Sequence, residues 1–479
     1  MRVLLENQLR NGLQLALLKM TAPADFFNFD YFSKFFDKRL KNKKGGGRDG
    51  LTPSAFWKNS VSSLDFIAKR CLDGTYNFSP YKEKLVLKGR SKLPRVLSLP
   101  SMRDRLVLGV LNQYLQEVFC EAVNHDVPNL YMKEIGDFLS VNSSKKIYFL
   151  KTDIKSFYDT ICLSLLYAKL EERLDAPILQ LMKSAIETVT VSSDSSRILE
   201  RRISKDVGIP QGLAISNILA SISMMDFDSS IMKLCGSNGL YKRYVDDILI
   251  LSTSPLTHFF LDSFKCELIL QCSTLRLSRE KTQIGVVGQG SFNYIGYVIQ
   301  PSLTISICEK NVRSYLNRIC RLTTQYKNMK EKIFLRPRFI REDAMLDGYY
   351  ESVLNRKIAG FKSFNHLFGW LPYFQAMTDV GLLYKVDAVI HRKFLKGLPI
   401  EANILHLPAV YWDIKKHAGK NKLTDYDALK DIGQISDYLL RQGLIAENYQ
   451  YGDDDVRNIY ARHLEYIMKD AKKSIGTTY

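Results

Sequence analysis

Two adjacent carboxylates, Asp246 and Asp247, precede an apolar run in the stretch YKRYVDDILIL, residues 241–251. If the Ile and Leu residues form a buried strand, the two charges repel each other and lose hydration, so the pair is costly unless something positive neutralises it. A hairpin turn is the plainer interpretation, because aspartate tolerates unusual backbone angles. The pair alone does not predict chemistry.

A third carboxylate favours a metal site. Asp153 ends the apolar stretch KIYFLKTD, residues 146–153, which is typical of a buried strand. If that strand lies beside the Asp246 strand, three carboxylates gather at one point. Mg²⁺ prefers such oxygen ligands, and two ions together can activate an attacking oxygen and stabilise a leaving one. The three acids therefore predict a site for two Mg²⁺, with Mn²⁺ as a substitute, in phosphoryl transfer.

The composition indicates a polyanionic partner. The 479 residues carry 68 Lys and Arg against 50 Asp and Glu, a net charge of +18, and 46% of them are hydrophobic. Such a surplus favours nucleic acid first and an anionic membrane second. No apolar run approaches the roughly 20 residues of a membrane-spanning helix. The length predicts two to four structural units, and no membrane partner is expected.

Cysteine and histidine spacing predicts no further chemistry. The eight cysteines form no C-x-x-C motif, which argues against a zinc site or a disulfide framework and favours free thiols in the cytoplasm. The histidines at 366, 391, 406, 417 and 463 show no paired spacing, and no role is assigned to them.

The periodicity of apolar residues predicts the elements that position the acids. A strand pair is expected over 85–100, a helix over 101–123, and a strand running into a helix over 146–161. A loop then opens a long helix near 206–228, a hairpin surrounds Asp246, and a helix covers 258–272. Short strands follow up to 299, and helices dominate from 309 onward. This order is typical of a small mixed α+β sheet that carries helices.

Seven stretches in this order resemble the successive sequence blocks of reverse transcriptases. They are GRDGLTP, GRSKLPRVLSLPSMRDR, KTDIKSFYDTI, VGIPQGLAISN, YKRYVDDILI, LSREKTQIG and FNYIGYVI. The resemblance implies a right-hand polymerase fold of class α+β. It places an N-terminal helical extension at 1–44, fingers and palm at 45–300, a helical thumb at 301–400 and a helical C-terminal region at 401–479.

The same resemblance implies roles for individual residues. Asp153, Asp246 and Asp247 match the catalytic, metal-binding triad, with the backbone carbonyl of Ile154 completing one metal's shell. Tyr158 matches the ring under the incoming sugar, where it would exclude a 2′-hydroxyl and select dNTPs.

Further matches concern the nucleotide and the template–primer. Arg95 corresponds to the arginine on the triphosphate, and Lys281 to a lysine that assists the leaving pyrophosphate. Gln211 is implied to bind the nucleotide and Gly212 the template–primer. The basic stretch with Arg313, Arg318 and Arg321 is the expected duplex-contacting face of the thumb.

Within this family the chain resembles the bacterial defence-associated and abortive-infection enzymes, which are related to retron and group II intron reverse transcriptases. This implies cDNA synthesis from a non-coding RNA template in anti-phage defence, with a homo-oligomer as one option. Some such enzymes prime from protein, and the candidate priming residues are Tyr449, Tyr451, Tyr460, Tyr466 and Tyr479.

Three alternatives remain. A retron-type reverse transcriptase is disfavoured because VTG and NAxxH motifs are missing. An RNA-directed RNA polymerase is disfavoured by Tyr158 and the YVDD stretch. A catalytically silent RNA-binding scaffold is disfavoured because all three acids are intact, and a scaffold has no need of such a costly cluster.

Overall fold

A computed structural model describes residues 22–43, 45, 47–87, 93–123, 128–192 and 205–474. The chain divides into two compact units. Unit one comprises Met1–His125 and Phe149–Ile284, and unit two comprises Asp126–Tyr148 and Gly285–Tyr479. The four-part domain division expected from the sequence stays a prediction.

Unit one combines helices with two small sheets. Its helices are α1 (Pro23–Phe26), α2 (Phe29–Phe35), α3 (Pro53–Ser60), α4 (Leu64–Leu72), α5 (Met102–Val118), α7 (Phe157–Thr160), α8 (Leu163–Glu171), α9 (Ala176–Glu187), α10 (Ser216–Cys235) and α11 (His258–Cys272). One sheet has the order β2 (Arg95–Leu99), β1 (Tyr81–Val86), β4 (Thr190–Val191). The other has the order β5 (Gly239–Tyr244), β6 (Asp247–Ser252), β3 (Tyr148–Asp153), β7 (Gln283–Val286).

The sheet β5–β6–β3–β7 is held in place by the apolar side chains that its central strands bury. In β6 the five residues after Asp247 are all buried, as expected for a strand with neighbours on both sides. Its Ile248 and Ile250 belong to one apolar core with Leu150 of β3 and with Ile218 and Ile222 of α10. The apolar run that follows the two acids is therefore a central strand of the core.

Unit two is mainly helical. Its helices are α6 (Pro128–Val141), α12 (Glu309–Glu331), α13 (Asp343–Ala359), α14 (Trp370–Tyr373), α15 (Val380–Val389), α16 (Leu407–His417), α17 (Ile432–Arg441) and α18 (Asp453–Ser474). Its strands are β8 (Phe292–Tyr294), β9 (Tyr297–Ile299), β10 (Ile305–Ile307), β11 (Phe361–Ser363), β12 (His366–Phe368) and β13 (Thr424–Asp425).

The predicted α+β class is confirmed. The helix expected over 258–272 is α11, and helices dominate after residue 309 as expected. The sequence reading missed the sheet β12–β11–β13, whose strands have only two or three residues each. Within the described residues, no helix combines the length and apolar composition needed to cross a bilayer.

Candidate active site

The three predicted carboxylates meet where β3 ends and the β5–β6 hairpin turns. Asp153 is the last residue of β3 and is only 5% exposed. Tyr244 pairs with Asp247 as the last step of the hairpin ladder, so Val245 and Asp246 form a two-residue turn. The N–H of Ile154 donates to the carbonyl of Asp246 at 3.0 Å. This bond fastens the turn to the end of β3.

The turn itself is strained and is held by an arginine. Val245 has a φ of +57°, a left-handed conformation that a β-branched side chain rarely adopts. Its carbonyl accepts a hydrogen bond of 2.9 Å from Nη1 of Arg243. Nε of Arg243 also donates to Oδ1 of Asp228 at 2.7 Å, and Nη2 donates to Oδ2. Arg243 thus joins the turn to α10.

Sequence reasoning missed this arrangement, although a signal for it exists. Tyr241 and Arg243 are two residues apart in β5 and therefore share a face of the strand. Both bind Asp228, because the hydroxyl of Tyr241 donates to Oδ1 of that residue at 2.6 Å. Two hydrogen-bonding side chains at period two, directly before a pair of acids, indicate a shared partner on a neighbouring element.

The other flank of Asp153 is also fixed. Its carbonyl accepts a hydrogen bond of 2.7 Å from the N–H of Ser278, and Nζ of Lys281 lies 2.6 Å from its Oδ2. Burial lowers the pKa of Lys281, but the hydrogen bond to Asp153 and the charges of Asp153, Asp246 and Asp247 raise it overall. Lys281 is therefore a charged partner of the triad, as its proposed role requires.

One ammonium does not neutralise the buried carboxylate of Asp153 and the two half-buried carboxylates of Asp246 and Asp247. Burial raises the pKa of Asp246, and the charge of Asp153 raises it further. Burial raises the pKa of Asp247, and the charge of Asp246 raises it further, to about 6. Oδ1 of Asp246 is buried and has no hydrogen-bond partner among the described residues. A site with excess negative charge and an unpaired carboxylate oxygen fits a divalent cation.

Tyr158 and Arg95 lie close enough to the triad for their charges to interact with it. Burial raises the pKa of Tyr158 to about 12, the charge of Asp246 adds to this, and Arg95 opposes it. The Tyr158 hydroxyl donates to Oδ1 of Asn217 at 2.8 Å. Asn217, near the start of α10, is a contact that the sequence reading did not single out.

Gln211 and Gly212 form a loop that is docked on β2. The Gln211 carbonyl accepts a hydrogen bond of 2.7 Å from the N–H of Ser98, and its Nε2 donates to Oδ1 of Asp159 at 2.9 Å. Gly212 has a φ of +99°, and a Cβ there would lie 3.2 Å from the Ser98 carbonyl oxygen. The backbone angle favours glycine, and a Cβ there would make a tight contact with β2.

The three arginines of the predicted thumb face lie on α12 of unit two. Arg313, Arg318 and Arg321 line an open cavity of about 520 Å³ with Glu309 and Lys310. Arg313 pairs with Glu309, and Arg318 donates to the carbonyl of Lys473 near the end of α18. Arg318 is thus already engaged, and duplex binding by this face stays a prediction.

The candidate priming tyrosines differ in access. Tyr460 is buried and its hydroxyl donates to the carbonyl of Tyr426 at 3.0 Å, while the hydroxyl of Tyr451 accepts from the N–H of Ala446 at 3.2 Å. Tyr449 and Tyr466 are about two-thirds exposed, at 65% and 66%. Tyr479 lies outside the described residues.

Comparison with known proteins identifies the stretch around this site. Residues 86–299 match the family described as "Reverse transcriptase (RNA-dependent DNA polymerase)". An uncharacterized 91 kDa protein in the cob intron of Schizosaccharomyces pombe is 28% identical over 213 residues, 43% of this chain and 25% of that protein. The group II intron-encoded protein LtrA of Lactococcus lactis subsp. cremoris is 23% identical over 208 residues, 41% of this chain and 33% of LtrA. This chain therefore spans a quarter to a third of the length of these two relatives.

Among solved structures, telomerase from Candida albicans in complex with a TWJ fragment of telomeric RNA is similar to this chain. It has 16% sequence identity and a TM-score of 0.43, over 87% of this chain and 67% of that one.

Replacing Arg243 with lysine tests whether the turn needs its fork of donors. Lysine keeps the charge but cannot bind both oxygens of Asp228 and the Val245 carbonyl at once. If the chain has the polymerase activity proposed below, Arg243→Lys should lower kcat for DNA synthesis about tenfold or more, with a smaller change in KM for dNTP. Arg441→Lys, an exposed arginine of α17, is the control. An unchanged kcat would show that Arg243 does not position the turn.

Asp247→Asn should stabilise the protein when divalent ions are absent. The folded-state pKa of about 6 exceeds the ordinary value of 3.8, so the wild-type carboxyl favours folding when protonated. Its contribution is present below about pH 4 and is lost as the pH rises through 6. At pH 8 with EDTA we expect Asp247→Asn to gain up to about 3 kcal/mol, seen as a higher thermal midpoint. The gain should fade towards pH 4. Asp262→Asn, an exposed residue of α11, should show neither effect, and a destabilised Asp247→Asn at pH 8 would contradict the assignment.

Proposed function

We propose that this chain, whose residues 86–299 form a reverse transcriptase domain with group II intron relatives, is an RNA-directed DNA polymerase. One observation carries the proposal. Within the matched stretch, Asp153, Asp246 and Asp247 converge at a strained turn and leave a buried carboxylate oxygen without a partner. A scaffold that only binds RNA would gain nothing from this destabilising cluster, and an asparagine at any of the three positions would relieve it.

Asp153, Asp246, Asp247 and the backbone carbonyl of Ile154 would hold two Mg²⁺, with Mn²⁺ as a substitute. The ions would supply activation of the primer hydroxyl and neutralisation of charge on the leaving pyrophosphate. The chain's own groups orient the partners of this reaction. Ile154 and Arg243 hold the turn so that Asp246 faces Asp153.

The remaining site residues bind the incoming nucleotide and the template. Arg95 presents a planar guanidinium suited to a triphosphate, and its charge already reaches Asp246 and Tyr158. Lys281 can exchange its carboxylate partner for the pyrophosphate. The Tyr158 ring blocks a 2′-hydroxyl, while Gln211 and Gly212 place backbone where the template–primer and nucleotide would pass.

The net charge of +18 supports RNA as the template. A non-coding RNA template and a role in anti-phage defence rest on the sequence resemblance to defence-associated enzymes. A cytoplasmic location is supported by the eight cysteines, all of which are free thiols. If priming is from protein, the exposed Tyr449 and Tyr466 are better candidates than the packed Tyr460, whose hydroxyl is already bonded.

The acids are tested by substitution in the full chain. Asp153→Asn and Asp246→Asn should each reduce DNA synthesis on a primed RNA template by about a thousandfold or more, because each removes charge from the metal ligands. RNA affinity should be retained, and the thermal midpoint should stay the same or rise, because each change relieves repulsion in the cluster. Asp262→Asn is the matched control. Synthesis by either variant at the wild-type rate would refute the proposed function.

The sugar selection is tested with a pair of Tyr158 variants. Tyr158→Ala removes the ring, whereas Tyr158→Phe keeps the ring and loses only the hydrogen bond to Asn217. We expect the preference for dNTP over NTP to fall about tenfold or more in the alanine variant and to persist in the phenylalanine variant. An unchanged preference for dNTP in the alanine variant would remove Tyr158 from the nucleotide site. Incorporation of NTPs alone by the wild-type protein would favour an RNA polymerase.

A further inference from the structure

Unit two contains a second cluster of potential metal ligands. Asp387 of α15 and His391 are four residues apart and share a helix face, because the helix continues as a π-helix over Ile390–Leu395. His406 immediately precedes α16. One ligand atom from each of the three residues lies within 4.8 Å of the others. The spacing of the histidines along the chain did not reveal this cluster, since a loop brings His406 back to the helix.

His391 is poised as a ligand. Its Nε2 is buried and has no hydrogen-bond partner among the described residues. In the neutral tautomer that carries the proton on Nδ1, Nε2 offers a lone pair to a metal.

The atom that Nε2 faces is itself electron-rich. Nε2 of His391 lies 3.7 Å from Oδ1 of Asp387, which is too long for a hydrogen bond. In the tautomer with the proton on Nδ1, two lone-pair atoms face each other there, and a cation between them would remove their repulsion. Two ligands at about 2.0–2.1 Å from a tetrahedral Zn²⁺ are about 3.4 Å apart, so the observed separation needs little adjustment.

The neighbouring histidine opposes a proton on His391. The two rings are stacked with centroids 3.9 Å apart, so both cannot be protonated without close repulsion. The neutral imidazole is the form that binds a metal.

The third ligand can reach the site by a side-chain rotation. Nδ1 of His406 now lies 2.7 Å from Oδ2 of Asp387, a hydrogen bond, and its ring is stacked on His391. The side chain of His406 is 61% exposed, so it can turn out of the stack and direct a nitrogen to the same point. The N–H of Leu407 donates to Oδ1 of Asp387 at 2.8 Å and keeps that carboxylate oriented.

We propose that Asp387, His391 and His406 form a site for a divalent transition metal, best suited to Zn²⁺, with water as the fourth ligand. Two imidazoles and one carboxylate suit zinc better than Mg²⁺, which prefers oxygen. The ion would fasten the π-helix after α15 to the start of α16. This site is separate in sequence and ligand type from the carboxylate triad, so its test is independent of polymerase activity.

The test is a Co²⁺ titration of the full chain after removal of metals with EDTA, in excess Mg²⁺ so that the triad is filled. Tetrahedral Co²⁺ bound by nitrogen and oxygen gives a visible absorption band. We expect one equivalent to produce the band, and Zn²⁺ to abolish it by displacement. His406→Gln should weaken the affinity about tenfold or more, and its exposed position should leave the fold intact. His391→Gln should do the same or more.

His417→Gln, an exposed histidine at the end of α16, is the matched control and should bind as the wild type does. Absence of the band in the wild type would overturn the proposal. So would a band that survives both His391→Gln and His406→Gln, or one that disappears in Asp246→Asn, since the ion would then lie in the triad.

Discussion

The repulsion among three carboxylates, one buried and two half-buried, is the constraint to which much of unit one responds. Asp153, Asp246 and Asp247 lie within one another's electrostatic reach, and burial raises the pKa of Asp246 and Asp247. A fold can tolerate such a cluster only if the backbone around it is rigid. The bond from Ile154 to the Asp246 carbonyl and the bond from Ser278 to the Asp153 carbonyl supply that rigidity from two sides.

The turn is also fixed by a side chain that connects it to the neighbouring helix α10. Val245 has the left-handed angle of a two-residue hairpin turn, its carbonyl accepts a hydrogen bond from Arg243, and Arg243 is itself held by Asp228 of α10. The helix is anchored in the same apolar core as β3 and β6. The turn is thus held by Arg243 and Asp228, which lie outside the carboxylate triad.

The sequence predicted what depends on local pattern and chain order. The strand that ends at Asp153, the hairpin around Asp246 and the helix over 258–272 follow from periodicity and turn chemistry, and all are present. What it could not predict depends on long-range packing. Three contacts join residues whose separation along the chain carries no periodic signal. They are the hydrogen bond from Arg318 to Lys473, the hydrogen bond from Tyr460 to Tyr426, and the approach of His406 to His391. The short strands β11 to β13 could not be predicted for a related reason, since two or three residues are too few to show an alternation of apolar and polar side chains.

The ion pair between Lys281 and Asp153 bears on how the proposed metal site would fill. A divalent ion would compete there with an ammonium that lies 2.6 Å from Oδ2 of Asp153. The net affinity for the ion would therefore be lower than it would be without the lysine. A triphosphate would offer the ammonium another anion, so nucleotide and ion would strengthen each other's binding by the same factor. A single lysine would thus favour ion binding to the nucleotide-bound site over the empty one.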